Sequence, residues 1–244
     1  MNKKGKDDST TWTWFDQNLD TVTRTIYMGS ISKGYDDEES GVDNLMAEYF
    51  IKGMHILETT NSKKEINIIM NNPGGDWYHG MAIYDSIMYS HCPTVVKVYG
   101  HAMSMGSVIL QAADHRIMMP NSRFMIHYGY DGKYGHSKIF ERWSDEGKRT
   151  NYQMENIYLD SIIDCDVNQS PEILEKVLSE IVNKQKSLEF PLQETVSLKF
   201  NRKNPVLRKE EIRKVLKELL NFDTIMTPQE TVDLGLADEI FSLC

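Results

Sequence analysis

The chain predicts an α/β protein built on a parallel sheet with crossover helices, and two observations carry that expectation. Apolar or β-branched strand-like runs, Glu65 to Asn71 and Thr94 to Tyr99, alternate with segments of helical spacing through His127. With 244 residues, 40% of them hydrophobic, the chain is long enough to bury one good α/β core, with room for only a moderately sized second element. Residues 21–244 are therefore expected to form a single domain behind a polar N-terminal segment at 1–20.

The elements follow in order. Residues 1 to about 20 are polar and tryptophan-bearing, and Thr25-Ile26-Tyr27-Met28-Gly29 reads as the first strand. From Val42 the core begins, with Leu45, Met46, Tyr49, Phe50, Gly53, Met54 and Leu57 on one helical face. Glu65 to Asn71 is a buried strand, Asn72-Pro73-Gly74-Gly75 a tight turn, and Asp76 opens a helix carrying Gly80, Ile83, Tyr84, Ile87 and Met88. Thr94 to Tyr99 alternates and is β-branched, Ser104 to Asp114 reads as a helix, and Pro120 to His127 contains another strand-like run. Gly129, Gly132 and Gly135 mark a turn before a long helix with Phe140, Trp143, Met154, Ile157 and Ile162. Pro171 to Lys184 and Pro205 to Leu220 are amphipathic helices, joined by Phe190-Pro191-Leu192 and the strand-like Val196-Ser197-Leu198-Lys199-Phe200. Their apolar faces, Ile173, Leu174, Val177, Leu178 and Ile181 in one and Ile212, Val215, Leu216 and Leu219 in the other, must be buried either on each other or in subunit contacts.

Composition excludes several classes of function. A net charge of −9 argues against nucleic acid, which needs a basic face. Cys92, Cys165 and Cys244 are odd in number and far apart, matching neither a disulfide framework nor zinc-ligand spacing, which predicts a reducing, cytoplasmic setting. There is no run of about 18 apolar residues, and Met1 to Asp8 lacks the apolar core of a signal peptide, so no membrane span is expected. His55, His79, His91 and His136 show no i,i+4 pair and no carboxylate at ligand spacing, so neither a metal nor another cofactor is expected.

Chemistry concentrates in Gly100-His101-Ala102-Met103-Ser104-Met105-Gly106 and Pro120-Asn121-Ser122-Arg123-Phe124-Met125-Ile126-His127. Ser104 falls at a helix N-terminus, where backbone amides and the helix dipole favour an anion, and the Met105 N–H is suited to the oxygen of a tetrahedral intermediate. If the glycine turn faces Ser104, the Gly75 N–H completes a two-donor oxyanion hole. A serine hydroxyl is a poor nucleophile at neutral pH, so a histidine must take its proton and return it to the leaving amine, with a carboxylate fixing the tautomer. Taken singly, each group has an ordinary role: Ser104 a helix cap, His127 a core histidine, Asp223 a turn residue, Pro-Gly-Gly a connection. His101, three residues before Ser104, is a competing base, but its place on the strand exit fits a structural or substrate-lining role. The Gly-x-Ser-x-Gly elbow of α/β-hydrolases is absent, because Ala102 holds its first glycine position.

Four segments, Ile69 to Tyr84, Val98 to Leu110, Pro120 to His127 and Asp223 to Asp238, resemble those of the Clp protease proteolytic subunit family, ClpP, in the same chain order. The resemblance implies Ser104 as nucleophile, His127 as general base, Asp223 as its orienting carboxylate, and Gly75 and Met105 as oxyanion donors. It implies the ClpP/crotonase-like fold of repeated β-β-α units, with a projecting handle at about 129–163 that packs ring against ring. It also implies a homo-oligomer of heptameric rings, a tetradecamer enclosing a chamber. Its function would be that of an ATP-independent serine peptidase subunit acting on peptides or unfolded proteins, supplied by an AAA+ unfoldase. The chain departs from the family in a longer stretch at about 166–222, read as an α-rich insertion in or beside the handle, and in Phe222, where an arginine is usual. Met103 replaces the second alanine before the nucleophile, and the polar N-terminus does not match the family's axial loops. Two other classes are a crotonase-type acyl-CoA enzyme and a catalytically silent scaffold subunit. A complete Ser-His-Asp set argues against both.

Overall fold

The computed structural model describes residues 13–29, 41–129, 136–168, 171–189 and 195–242. Residues 1–12 of the polar segment at 1–20, Gly132, Gly135, the Phe190-Pro191-Leu192 link and Cys244 lie outside the described residues. In chain order the elements are β1 (Leu19–Asp20), β2 (Thr25–Gly29), α1 (Asn44–Thr60), β3 (Ile66–Asn72), α2 (Trp77–Met88), β4 (Thr94–Met103), α3 (Met105–Leu110) and β5 (His115–Met118). There follow β6 (Arg123–Ile126), α4 (Ser137–Asn168), α5 (Pro171–Glu189), α6 (Pro205–Leu220), β7 (Thr224–Met226), α7 (Pro228–Asp233) and β8 (Glu239–Ile240). They fall into two compact units, 1–123 with 237–244, and 124–236.

In the first unit the sheet order is β1-β2-β3-β4-β5-β8. Every pairing from β2 onward is parallel, which requires a crossover between strands, and α1 and α2 supply the first two. Along β3 the buried positions alternate as Ile66, Ile68 and Met70, and β4 buries Val96 and Val98. Helix α1 buries Met46, Phe50, Met54 and Leu57, spaced as one helical face, and Asp43 caps it by accepting the Met46 N–H at 2.8 Å. Its other end is closed from a distance. Arg24, at φ 54°, is buried and donates to the carbonyls of Leu57, Asn61, Lys64 and Glu65 at 2.8–3.1 Å, so one fork satisfies the last turn of α1 and the approach to β3.

Two of the first unit's elements differ from the sequence expectation. The sheet begins one strand earlier, because Leu19–Asp20 pairs antiparallel with β2, and Trp14 meets Tyr27 edge-to-face at 6.2 Å. Helix α3 stops at Leu110 rather than running to Asp114. The N–H groups of Gln111, Ala112 and Ala113 bond three residues back, tightening the chain, and the Asp114 carboxylate instead accepts the N–H and hydroxyl of Thr94 at 2.8 and 2.9 Å.

The second unit is helical around one hairpin-like pair, β6 antiparallel to β7. Helices α4, α5 and α6 pack on one another. Leu174, Val177, Leu178 and Ile181 of α5, and Ile212, Val215, Leu216 and Leu219 of α6, are all buried within this chain, while Ile173 is 40% exposed. The apolar faces of α5 and α6 are therefore buried within this chain. Along α4, Met154, Tyr158, Leu159 and Ile162 are buried, whereas Phe140 and Trp143 in its first half are exposed.

The strand expected at Val196–Phe200 is not a strand. Its backbone is paired with side chains of α5: the N–H groups of Val196, Leu198 and Phe200 donate to Asn183 Oδ1, Ser179 Oγ and Glu175 Oε1 at 2.7, 2.9 and 3.1 Å, and the Val196 carbonyl accepts from Asn183 Nδ2 at 2.8 Å. The spacings explain the fit. Four helical residues rise about 6 Å, close to the roughly 6.6 Å of two extended residues, so every fourth side chain meets every second N–H. The strand-like alternation of apolar and polar residues is there, but a helix rather than a sheet supplies the partners.

Glu175 anchors that ladder. Its buried carboxylate also takes Arg202 Nη2 at 2.6 Å and Arg208 Nη1 at 3.4 Å. The Arg202 hydrogen bond leads the causes that hold the Glu175 carboxyl below its ordinary value, against the opposing effect of burial. A depressed carboxyl stabilises the fold fully above its unfolded value, about pH 4.3, and loses that contribution as pH falls through the lower folded value. Glu175→Gln is expected to lower the melting temperature by a few degrees at pH 7, roughly 1–3 kcal/mol, and the difference from wild type should shrink below about pH 4. Melting curves of both proteins between pH 7 and 3.5 check this; an offset independent of pH would refute it.

Candidate active site

Ser104 owes its position to an irregularity in the sheet. The β3–β4 register runs Met70↔Val98 and then Asn72↔Ala102, so β4 uses four residues where β3 uses two. Gly100, at φ 74°, occupies this excess and approaches the Asn71 side chain too closely for a Cβ, while the His101 N–H donates to Asn71 Oδ1 at 3.3 Å. Bulges of this kind re-aim a strand end. Four residues after Gly100, Ser104 adopts φ 50° and ψ −124°, a conformation unfavourable for any residue with a side chain and costing about 1–3 kcal/mol. Its side chain makes no capping bond to α3, and its carbonyl accepts both the N–H and the hydroxyl of Ser107, at 3.0 and 2.6 Å. The ordinary role of a serine at a helix start is therefore not the one it fills.

The glycine turn lies against that junction. Asn72 is fully buried, and its Oδ1 accepts the Gly74 N–H at 2.9 Å, an Asx turn that bends the chain as β3 ends. A Cβ built on Gly74 would stand 2.5 Å from Ser104 Cβ and 3.0 Å from the Met105 nitrogen, so Gly74 makes the close approach to the serine. Gly75, at φ 139°, is held by a parallel bridge to Val42: the Val42 N–H donates to Gly74 O at 2.5 Å and the Asp76 N–H to Val42 O at 2.8 Å. That pattern turns the Gly75 N–H away from Val42. A Cβ there would strike the Val42 backbone. Met105 is fixed too, its side chain buried where Gly80 of α2 leaves room for it, and as the first residue of α3 its N–H has no acceptor inside the helix. The sequence reading places Asn72 in this turn, and the structure adds that its own side chain closes it.

The second unit holds the other two residues singled out in the sequence, His127 and Asp223. The β6–β7 pairing runs Phe124↔Met226, Met125↔Ile225, Ile126↔Thr224, so the next opposed positions are His127 and Asp223. Opposed residues of an antiparallel pair project to the same face. His127 Nδ1 lies 2.8 Å from Asp223 Oδ1, with the imidazole mostly covered and the carboxylate 60% exposed. A carboxylate on Nδ1 holds the proton there and leaves Nε2 as the basic nitrogen. Helix α6 grips both strands: the Tyr128 N–H donates to Leu220 O at 2.7 Å, and the Thr224 hydroxyl to Leu219 O at 2.7 Å.

Of the residues singled out in the sequence, the first unit brings Ser104 and Met105 together with the Gly74–Gly75 turn, and the second brings His127 together with Asp223. Among the described residues no three of His, Cys, Asp and Glu gather as a metal site, and no helix is long and apolar enough to cross a membrane. A model of the Clp protease family matches residues 38–187, taking in the glycine turn, Ser104 and His127. An ATP-dependent Clp protease proteolytic subunit from Deinococcus radiodurans is 38% identical over 119 residues, which cover 48% of this chain and 58% of that relative. The chain thus spans under two thirds of the length of the curated relative it matches.

Proposed function

The chain belongs to the Clp protease family, and from that membership we propose that it is a serine peptidase subunit in which Ser104 attacks the scissile carbonyl. His127 takes the serine proton and delivers it to the leaving amine, Asp223 keeps the imidazole in the working tautomer, and the Gly75 and Met105 amides receive the oxyanion. The observation that carries this reading is the strained Ser104 backbone, set against a two-glycine turn and not spent on capping its helix. Strain at such a place persists only where surrounding structure enforces it, as at a nucleophile.

The substrates we propose are short peptides and unfolded chains, cleaved in the cytoplasm inside a chamber of stacked heptameric rings. The sequence holds no Gly-x-x-x-x-Gly-Lys-Ser/Thr loop, so the work of unfolding falls to a separate AAA+ partner. The test is native mass measurement with two assays on the purified chain. A large ring that labels with a fluorophosphonate probe, cleaves short unstructured peptides slowly and spares a folded protein is the expected result. A monomer at micromolar concentration, or unaided digestion of the folded protein, overturns the chamber. Failure to label overturns the peptidase.

A further inference from the structure

The residue after the proposed base is tied down more heavily than a loop residue needs to be. Tyr128 donates its backbone N–H to Leu220 O at 2.7 Å and its phenol to Glu155 Oε1 at 2.7 Å. Glu155 sits on α4, is buried, and faces two cations of α6: its Oε2 lies 3.6 Å from Arg213 Nη1 and 3.4 Å from Lys217 Nζ. Burial and the Glu155 carboxylate together push the Tyr128 phenol far above its usual range, so it stays a hydrogen-bond donor at any working pH. A Cβ on Gly129, the next residue, would meet nothing within 4 Å among the described residues.

We propose that Tyr128 and Glu155 are positioning residues for His127, and that inserted helix α6 is the element that sets them. The geometry assigns the roles. Imidazole orientation depends on where the main chain leaves β6, and that exit is fixed by one backbone bond to the end of α6 and one side-chain bond to a carboxylate that Arg213 and Lys217 of α6 compensate. The chain leaves the same helix at Leu220 and reaches Asp223 after only Asn221 and Phe222, so both members of the His127–Asp223 pair hang from its C-terminal end. An added lobe with no bearing on the chemistry would have no reason to aim two cations, Arg213 and Lys217, at the buried carboxylate that holds the residue next to the base. The insertion is part of the apparatus that holds the histidine.

The inference rests on His127 being the base, and its test separates the two. Tyr128→Phe and Glu155→Gln are near-isosteric and are made in the full chain, with His127→Ala and the double variant His127→Ala/Tyr128→Phe beside them. Each is assayed for kcat and KM on a short fluorogenic peptide and for folding by thermal melting. Tyr128→Phe is expected to lower kcat by about 10- to 100-fold with KM unchanged within twofold, the scale of a misplacement near 1 Å. Glu155→Gln keeps an acceptor for the phenol and should fall less. In the His127→Ala background the tyrosine change should have no further effect on the residual rate, because a group that acts through the histidine cannot act without it. Wild-type kcat in folded Tyr128→Phe, or an equal loss with and without His127, overturns the positioning role. Wild-type activity in His127→Ala overturns the reading beneath it.

Discussion

Ser104→Ala will abolish hydrolysis and probe labelling while leaving the protein folded. Loss of the nucleophile of a serine triad removes several orders of magnitude from kcat, about 10⁴-fold or more, because the base and carboxylate contribute only through it. Structure separates this loss from misfolding. The hydroxyl does not cap α3, and alanine carries the same Cβ past Gly74, so the melting temperature should move by no more than the few degrees typical of a surface change. Peptide turnover, labelling and melting on one preparation check it. Near-wild-type kcat would remove Ser104 from the chemistry.

Asp223→Asn will fall nearly as far and for another reason. An asparagine can present its amide N–H to Nδ1, which favours the tautomer with the proton on Nε2, the nitrogen that has to accept the serine proton. The corresponding change in a well-studied serine protease triad costs about 10⁴ in kcat, chiefly through the wrong tautomer. Asp223 is 60% exposed, so solvent weakens its electrostatic help to the imidazolium but not its control of the tautomer, and a loss of about 10³-fold or more is expected. Because β7 and the α6 end are held by backbone groups and by Thr224, the fold should not notice. A kcat within twofold of wild type would show that something else orients His127.

The sheet and its helices were legible because their signals are local. Ile66, Ile68 and Met70 alternate on β3, Met46, Phe50, Met54 and Leu57 repeat on α1, and Asp76 opens α2 where the sequence places it. What escaped lies where one segment answers another at a distance. β1 is two residues long and exists only because β2 offers an edge. The extended run at Val196–Phe200 looks like a strand, and only the three-dimensional neighbour reveals that a helix completes it. The site divides in the same way. Ser104 and the two glycines could be read from the chain, but the roles of Gly74 and Gly75 are told apart by what their missing side chains would touch: Ser104 in one case and Val42 in the other. Tyr128 and Glu155 are 27 residues apart, with no spacing rule to join them.

The register of β6 and β7 also decides where this chain can change length. Between Leu220, which receives the Tyr128 N–H, and Thr224, which pairs with Ile126, only three residues intervene, and the third is Asp223. One residue more or fewer there shifts β7 by a step, and a one-step slip carries every side chain to the opposite face, the carboxylate with them. Ahead of Asn204 the described residues show no such constraint, for the segment Val196–Phe200 is fastened to α5. Additional sequence can therefore accumulate before α6 without disturbing the histidine, while the joint after α6 must keep its count to the residue.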